Sequence, residues 1–599
     1  MVAVHFDPGW TRCHGKDGHT PDLDIHDIHE RIAMTEKLPP AVPTTTTDDA
    51  PADPSRRRLL GGIALAGAAL AVGGCQTNAR GVGTDTASAD GGALDAALRE
   101  HIRHVVVIYA ENRSFNNLFG GFPGLAQPLS ALKPGQFQQR DRDGKLLDTL
   151  PPIWHGLVPH KQTLDGREYH IAEDAIRDIA NAPFALHTPE GEPLPHALVT
   201  RDLIHSFYNN QLQINGGRND GFVAWGDSGA LVMGHYATGT DNFALWRLAQ
   251  QFTLCDNFFM GAFGGSFLNH QYLVAAQPPF FPDADKTPAQ FQITQLEGDD
   301  PTGTRPKLAD DSPASAMQGR PKFASRMALT PDFWAVNTMG PPYAPAFTKD
   351  PKNPALADPA DPSTLPPQVH ASIGDRLSAA NVDWAWYGGG WQLALDGKGV
   401  RGSHDSFPYG PNFQEHHQPL NYFQSFAPGT TARAQHLRDG GVGSDAATNH
   451  FIADIANGTL PTVAFYKPQG DLNMHAGYSD IAAGDAHIAS VIDALQKSPL
   501  WPQTLVVITV DENGGWWDHV APPKGDRWGP GTRIPALVIS PYAKKGHIDH
   551  TIYDTGSIQR FLNRRFGLEP LPGIVMRDKA MRDAGGPAPG DLTAALHFG

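Results

Sequence analysis

Two short strings, four hundred residues apart, end in oxygen-bearing side chains. Glu111-Asn112 closes the run His104-Val-Val-Val-Ile-Tyr-Ala, and Asp511-Glu512 closes the run Leu505-Val-Val-Ile-Thr-Val. Carboxylate and amide oxygens suit a hard divalent cation such as calcium or magnesium, whereas a zinc pair would draw on more imidazole. Open α/β sheets gather their ligands at the carboxyl ends of the strands. If the two runs are neighbouring strands, these side chains converge at one edge and can hold a single cation. Taken singly, each string also fits a strand-end cap, because Asp and Asn are common at turns.

The elements that must position these side chains follow from pattern. Short β-branched apolar runs read as strands buried on both faces of a parallel sheet. Leu460–Tyr466 and Ile534–Ser540 read the same way, as does Phe252–Phe259. Residues 241–252 show helical spacing from an Asp241 N-cap. Ile373–Tyr387 reads as a helix plus strand, Asp485–Lys497 as an amphipathic helix leading into Leu505, and Gly556–Phe566 as a closing helix. Strands alternating with helices predict an α/β fold, a mostly parallel sheet flanked by helices. Two stretches rich in Pro and charge, about 125–200 and 277–370, interrupt the alternation; the second is too long for an ordinary loop and is expected to cap the site.

Composition narrows the partners. The 599 residues carry a formal charge of −16, which excludes the basic face that nucleic acid requires. Any bound anion must then be held locally, by a cation or by backbone N–H groups. Three cysteines, Cys13, Cys75 and Cys255, are too few for a disulfide framework. Cys255, between apolar residues, reads as a buried structural thiol.

Residues 1–54 form a long lead, in which Met34 is an alternative start. Ser55-Arg56-Arg57-Arg58-Leu59-Leu60 then precedes a short Ala/Gly-rich apolar stretch, well below the roughly 20 residues of a membrane span. The paired arginines resemble a twin-arginine signal, and Val72-Gly-Gly-Cys75 resembles a lipobox in which Cys75 becomes lipidated. Residues 55–75 thus predict an exported protein, periplasmic or anchored to the membrane through a lipid on Cys75, with secretion as the alternative. Polar, small residues 76–93 read as a tether, and the folded domain is expected from Leu94 to Gly599.

Five strings, in order along the chain, resemble the bacterial phosphoesterase family of acid phosphatases and non-zinc phospholipases C. They are Ala110-Glu-Asn-Arg-Ser-Phe-Asn-Asn-Leu-Phe-Gly, Asn219-Asp-Gly-Phe, Gly264-Gly-Ser-Phe-Leu-Asn-His-Gln-Tyr-Leu, Phe413-Gln-Glu-His-His-Gln-Pro-Leu-Asn-Tyr-Phe and Thr509-Val-Asp-Glu-Asn-Gly-Gly-Trp-Trp-Asp-His-Val-Ala-Pro-Pro. The departures are Asn116 and Asn219, where the family usually has an acid and often Met, and the lack of a proline near Leu268. None removes a proposed ligand.

The resemblance implies an alkaline-phosphatase-like fold, with Glu111, Asn112, Asp511 and Glu512 holding one metal ion. It makes Ser266 both nucleophile and a metal-facing oxygen, a sensible pairing because a cation lowers the pKa of a hydroxyl. A glycine pair before Ser266 lets the backbone turn tightly. Imidazolium can bind phosphoryl oxygens and protonate a leaving alkoxide. His475 and His417 are the leading candidates for that role, followed by His416 and His205. His270, Asp518 and His519 are expected behind the ligands, orienting them.

The expected activity is an acid phosphatase that cleaves small phosphate monoesters through a phosphoserine. Larger phospholipases of the family carry further β domains, and this chain ends at Gly599, soon after Leu568; on that ground phospholipase C is the alternative. A non-catalytic lipoprotein that binds phosphorylated ligands is an alternative of another class. A sulfatase is disfavoured, since no Cys/Ser-x-Pro-x-Arg string is present.

Overall fold

A computed structural model describes residues 85–154, 156–170, 177–237, 243–398 and 411–599. The lead, the twin-arginine-like segment with Cys75, and Asp241 lie outside the described residues. Eight strands form the central sheet: β1 (His104–Ala110), β2 (Thr253–Cys255), β3 (Trp384–Gly389), β4 (Leu437–Gly441), β5 (Val463–Lys467), β6 (Thr504–Val510), β7 (Ala536–Ile539) and β8 (His547–Asp549). Their order across the sheet is β8-β2-β7-β6-β1-β5-β3-β4. Only β7 runs against the rest, pairing antiparallel with both β6 and β2. The expected mostly parallel sheet flanked by helices is therefore the fold.

The centre of the sheet fixes the site. β1 and β6 pair in parallel from His104 opposite Thr504 to Ala110 opposite Val510. Every residue of β6 and all but the first of β1 are buried, as a sheet covered on both faces requires. Each such Val or Ile contributes about 1.5–3 kcal/mol by leaving water. The register carries Glu111 and Asp511 off the sheet edge as neighbours. Backbone bonds continue the pairing beyond the strands: Asp511 N–H donates to Ala110 O (3.1 Å), and Arg113 N–H to Glu512 O (3.0 Å).

Two expectations need correction. A helix spans Asp85–His101, so the later part of the stretch read as a tether is helical. The helix Ala244–Gln251 has Phe243, not an Asp, at its N-cap. Its first amides are satisfied from far along the chain: the Asp485 carboxylate accepts from Ala244 N (2.6 Å) and Leu245 N (2.9 Å). Asp485 lies within the helix Ile481–Lys497, so one side chain ties two helices together.

Residues 277–370 contain short 3-10 turns and isolated β-bridges such as Phe280–Trp334 and Ile293–Leu329. They are tied to the rest of the domain, because Asn337 Oδ1 accepts from Phe207 N (2.9 Å), at the start of the helix Phe207–Ile214, and Asp332 pairs with Arg527 (2.6 Å). Cys255 is buried and free, and burial pushes its thiol well up. Among the described residues no helix is long and apolar enough to cross a membrane.

Replacing Asp485 with Ala leaves two helix-start amides without their acceptor. The expected cost is about 1–3 kcal/mol, read as a lower midpoint in urea unfolding. Unchanged stability in D485A would mean that the two bonds add nothing.

Candidate active site

Ser266 opens the helix Ser266–Ala275 and is buried. Its hydroxyl lies 3.1 Å from Asn112 Oδ1 and 3.4 Å from Glu512 Oε1. Asn112 has a left-handed backbone, φ 57°, and its N–H donates to Asp511 Oδ1 (3.0 Å), which also accepts from Glu512 N (2.8 Å). Glu111 reaches the same cluster: its carboxylate, that of Asp511 and the His270 ring each place an atom within 4.8 Å of the others. Folding thus gathers all five residues expected around the cation.

The glycines are needed for this closeness. Gly264 has φ +92°, and a Cβ there would lie 2.5 Å from Phe207 N. Gly514 has φ +58°, and a Cβ would meet Asn112 O at 2.4 Å. Only glycine allows both approaches without strain.

Glu111 is the most heavily partnered of the acids. Its Oε1 lies 2.5 Å from Lys467 Nζ and 2.7 Å from His417 Nε2, and its Oε2 accepts from Tyr478 OH (2.9 Å). Burial alone would raise the Glu111 pKa, but Lys467 and then His417 hold it well below the usual carboxylate range. His417 is itself pushed down to about 4 by burial, against the pull of Glu111. The pair is consistent if Lys467 supplies the charge and His417 is neutral. His417 Nδ1 then accepts from Gln414 N (3.4 Å), which leaves the proton on Nε2, facing Glu111.

The histidines divide differently from the sequence expectation. Burial lowers His475, although its Nε2 is 3.7 Å from Glu111 Oε2. Burial also depresses His416 and His270 well below their ordinary value. Their rings lie 5.2 Å apart, and His416 is 5.0 Å from His417. His270 Nδ1 bonds Ser266 O (2.8 Å) and is 3.7 Å from Asp511 Oδ2. His205 is the exception. Burial opposes its charge, but Glu512 (3.5 Å from Nε2) and Asp202 (3.5 Å from Nδ1) outweigh it and lift the pKa to about 9. Of the candidate histidines, His205 is the one whose neighbours favour the charged form, whereas burial holds His475 and His417 toward the neutral form. The nearby acid Asp202, three residues earlier in the chain, was the sequence signal for it.

Asp518 and His519 stand behind the acids rather than against them. Arg533 Nε donates to Asp518 Oδ1 (3.0 Å), and Asn116 N donates to Asp518 Oδ2 (3.0 Å). Asn116 Oδ1 accepts from Arg533 Nη2 (3.1 Å) and lies 3.0 Å from His519 Nδ1. The cluster clamps the short helix Phe115–Phe119 that follows Glu111-Asn112.

The donor set suits a cation. Burial, reinforced by Glu111, pushes Asp511 up to about 7; burial also raises Glu512 well above the usual range, against the pull of His205. Asp511 Oδ2 is buried without a hydrogen-bond partner. Buried, under-compensated carboxylates with an orphaned oxygen are what a divalent ion would relieve.

A buried serine among acids at the carboxyl edge of a mostly parallel sheet defines the site of an α/β hydrolytic enzyme. Residues 102–569 match the Phosphoesterase family, and the chain belongs to it. It is a hydrolase of phosphoric ester bonds. Phospholipase C B of Mycobacterium tuberculosis is 24% identical over 537 residues, covering 83% of this chain and 78% of that protein. Phospholipase C A of the same organism is 24% identical over 530 residues, 83% of this chain and 77% of that one. Non-hemolytic phospholipase C of Pseudomonas aeruginosa is 31% identical over 177 residues, 24% of each chain. A solved protein of the alkaline phosphatase superfamily from Vibrio parahaemolyticus covers 57% of this chain and 64% of its own, at 13% identity and a TM-score of 0.26.

Lys467 and Tyr478, both in contact with Glu111, were missed at the sequence level. Lys467 had a signal: like Glu111 and Asp511, it closes an apolar strand, Val463-Ala-Phe-Tyr.

An acid whose folded pKa is raised stabilises the fold below its unfolded pKa and loses that contribution as pH rises through the folded one. In chelator, Asp511 should therefore make stability fall from about pH 4, its unfolded pKa, to about pH 7. D511N should flatten this stretch, and magnesium or calcium should raise the wild-type melting temperature most at its upper end. Identical pH slopes for the wild type and D511N would contradict the assignment.

Proposed function

We propose that the chain is a phospholipase C, cleaving the bond between glycerol oxygen and phosphorus in a phospholipid. The observation that carries a nucleophilic mechanism is the Ser266 hydroxyl, buried at the sheet edge between Asn112 Oδ1 and Glu512 Oε1. The choice of a diester is supported by the phospholipase C names of relatives that align with most of the chain. The expected phosphomonoesterase has no comparable support among them. It rested on where the chain ends, which says nothing of the reaction.

Ser266 Oγ attacks phosphorus in line, passing its proton to Glu512 Oε1 (3.4 Å away) and forming an Oγ–P bond as the P–O(glycerol) bond breaks. The departing glycerol oxygen takes a proton from His205, the imidazole held between Glu512 and Asp202. Water then attacks phosphorus, giving a proton to the now neutral His205; the Oγ–P bond breaks, Glu512 returns the proton to Ser266 Oγ, and the phosphorylated head group leaves. Glu111, Asn112, Asp511, Glu512 and Ser266 would hold a divalent cation, calcium or magnesium, which when bound supplies positive charge beside the phosphoryl and serine oxygens. His475, stacked on Tyr478 with ring centres 4.2 Å apart, and His417 act as neutral donors that shape the pocket. His270 keeps the first turn of the serine helix against Asp511. Export as a lipoprotein, carried by the twin-arginine-like segment and Cys75, belongs to the same reading.

The purified enzyme with magnesium or calcium should release phosphocholine from lecithin micelles faster than phosphate from p-nitrophenyl phosphate. S266A should lose at least about a thousandfold in turnover while keeping the wild-type melting temperature. A preference for the monoester would return the phosphatase reading, and full turnover by S266A would remove the nucleophile.

A further inference from the structure

Ring contacts run without a break from the serine loop to the surface. Phe263 immediately precedes Gly264-Gly265-Ser266. Its ring centre lies 6.1 Å from that of Phe207, which is 6.0 Å from Trp528. Trp528 is 5.8 Å from Trp334, and Trp334 is 4.9 Å from Phe280. Phe207 is buried, Phe263, Trp528 and Trp334 are half-buried, and Phe280 is 36% exposed. The Gln368 side chain bonds both the N–H (2.8 Å) and the carbonyl (3.1 Å) of Phe280, and the next residue along the chain, Val369, is 80% exposed. The row therefore opens onto more apolar surface at its outer end.

Separate stretches of chain supply these rings, and specific bonds hold them in line. Phe263 N–H donates to Trp528 O (2.7 Å). The Arg527 guanidinium lies over the Trp528 ring, 4.6 Å from its centre, and bonds both oxygens of Asp332, at 2.6 and 2.7 Å. A two-pronged pair of this kind fixes orientation as well as position. It holds the loop that carries Trp528 against the stretch that carries Trp334. Adjoining aromatic rings left half-open to water are a surface suited to an apolar ligand.

The inner end of the row marks which part of a substrate it meets. His205, the proton donor to the departing glycerol oxygen, stands two residues before Phe207. Phe207 also lies against the serine loop, since a Cβ at Gly264 would be 2.5 Å from its N. The row thus begins on the side where diacylglycerol leaves. Residues 277–370, which supply Trp334, Phe280 and Val369, carry eleven acids against eight Lys and Arg. That balance does not draw anionic lipid, so apolar contact is what the row offers. We propose that this aromatic row is the acyl subsite, holding the fatty acyl chains of a single zwitterionic phospholipid while its phosphorus sits at Ser266. The inference rests on the phospholipase C reading and adds to it the part of the protein that selects for chain length.

The test varies the chains and keeps the head group. Full-length enzyme with magnesium or calcium is assayed for phosphocholine release from dibutyryl-, dihexanoyl- and dioctanoyl-phosphatidylcholine, each below its micelle concentration. Every methylene that the row covers adds up to about fourfold, so the wild-type kcat/KM should rise at least about tenfold along the series. F280A/W334A should lose most of that rise. No phosphocholine from any of the three removes the phospholipase reading and this inference with it. Cleavage indifferent to chain length, a gain that appears only above the micelle concentration, or an undiminished rise in folded F280A/W334A overturns the inference alone. If that double variant does not fold, F280S at the exposed end decides: loss of the gain from dihexanoyl to dioctanoyl supports the proposal, and a gain equal to the wild type's overturns it.

Discussion

The structure depends on a concentration of buried carboxylates. Pairing β1 with β6 in register leaves Glu111, Asp511 and Glu512 at one sheet edge, all with no exposure to water. Like charges withdrawn from water repel strongly, and each loses its hydration. Every neighbouring feature can be understood as an answer to that charge. Lys467 and Tyr478 bind Glu111, His205 faces Glu512, and backbone amides point at Asp511 and Glu512. Asp511 retains an unpartnered oxygen, which is where compensation by the protein stops and a cation becomes useful.

The same electrostatics sort the histidines. Those enclosed near Lys467, namely His270, His416 and His417, are driven toward the neutral form by burial first and by that ammonium in addition. His205, on the far side of Glu512 with Asp202 behind it, is driven the other way. Burial, with Lys467 added, thus sets these imidazoles apart from His205, which its two acidic neighbours favour in the charged form. Asp518 and Arg533 hold Asn116, and with it the chain that follows Asn112, by hydrogen bonds to its backbone N–H and side-chain oxygen.

Much of this was legible in the sequence where burial and chemistry wrote the same signal. β1 and β6 are β-branched apolar runs ending in acids, and the strands followed from that; their side-by-side placement was a condition of the reading, which the pairing in the structure meets. The edge strands β4, Leu437-Arg-Asp-Gly-Gly, and β8, His547-Ile-Asp, did not, because a half-solvated edge needs no apolar run. Asp485 read as the start of an amphipathic helix, and its capping of a second helix was invisible because the bond joins residues 240 positions apart. Lys467 was passed over because a lysine ending a strand ordinarily points to water. Which histidine is favoured in the charged form was not legible, because it depends on neighbours that only folding supplies, Asp202 apart.

The most direct test is a crystal grown with manganese and orthovanadate. The account predicts one anomalous manganese peak coordinated by Asn112, Asp511 and Glu512, with vanadium bonded to Ser266 Oγ and its apical oxygen directed at His205. Vanadate bonded to any other side chain, or manganese bound away from these acids, would contradict it.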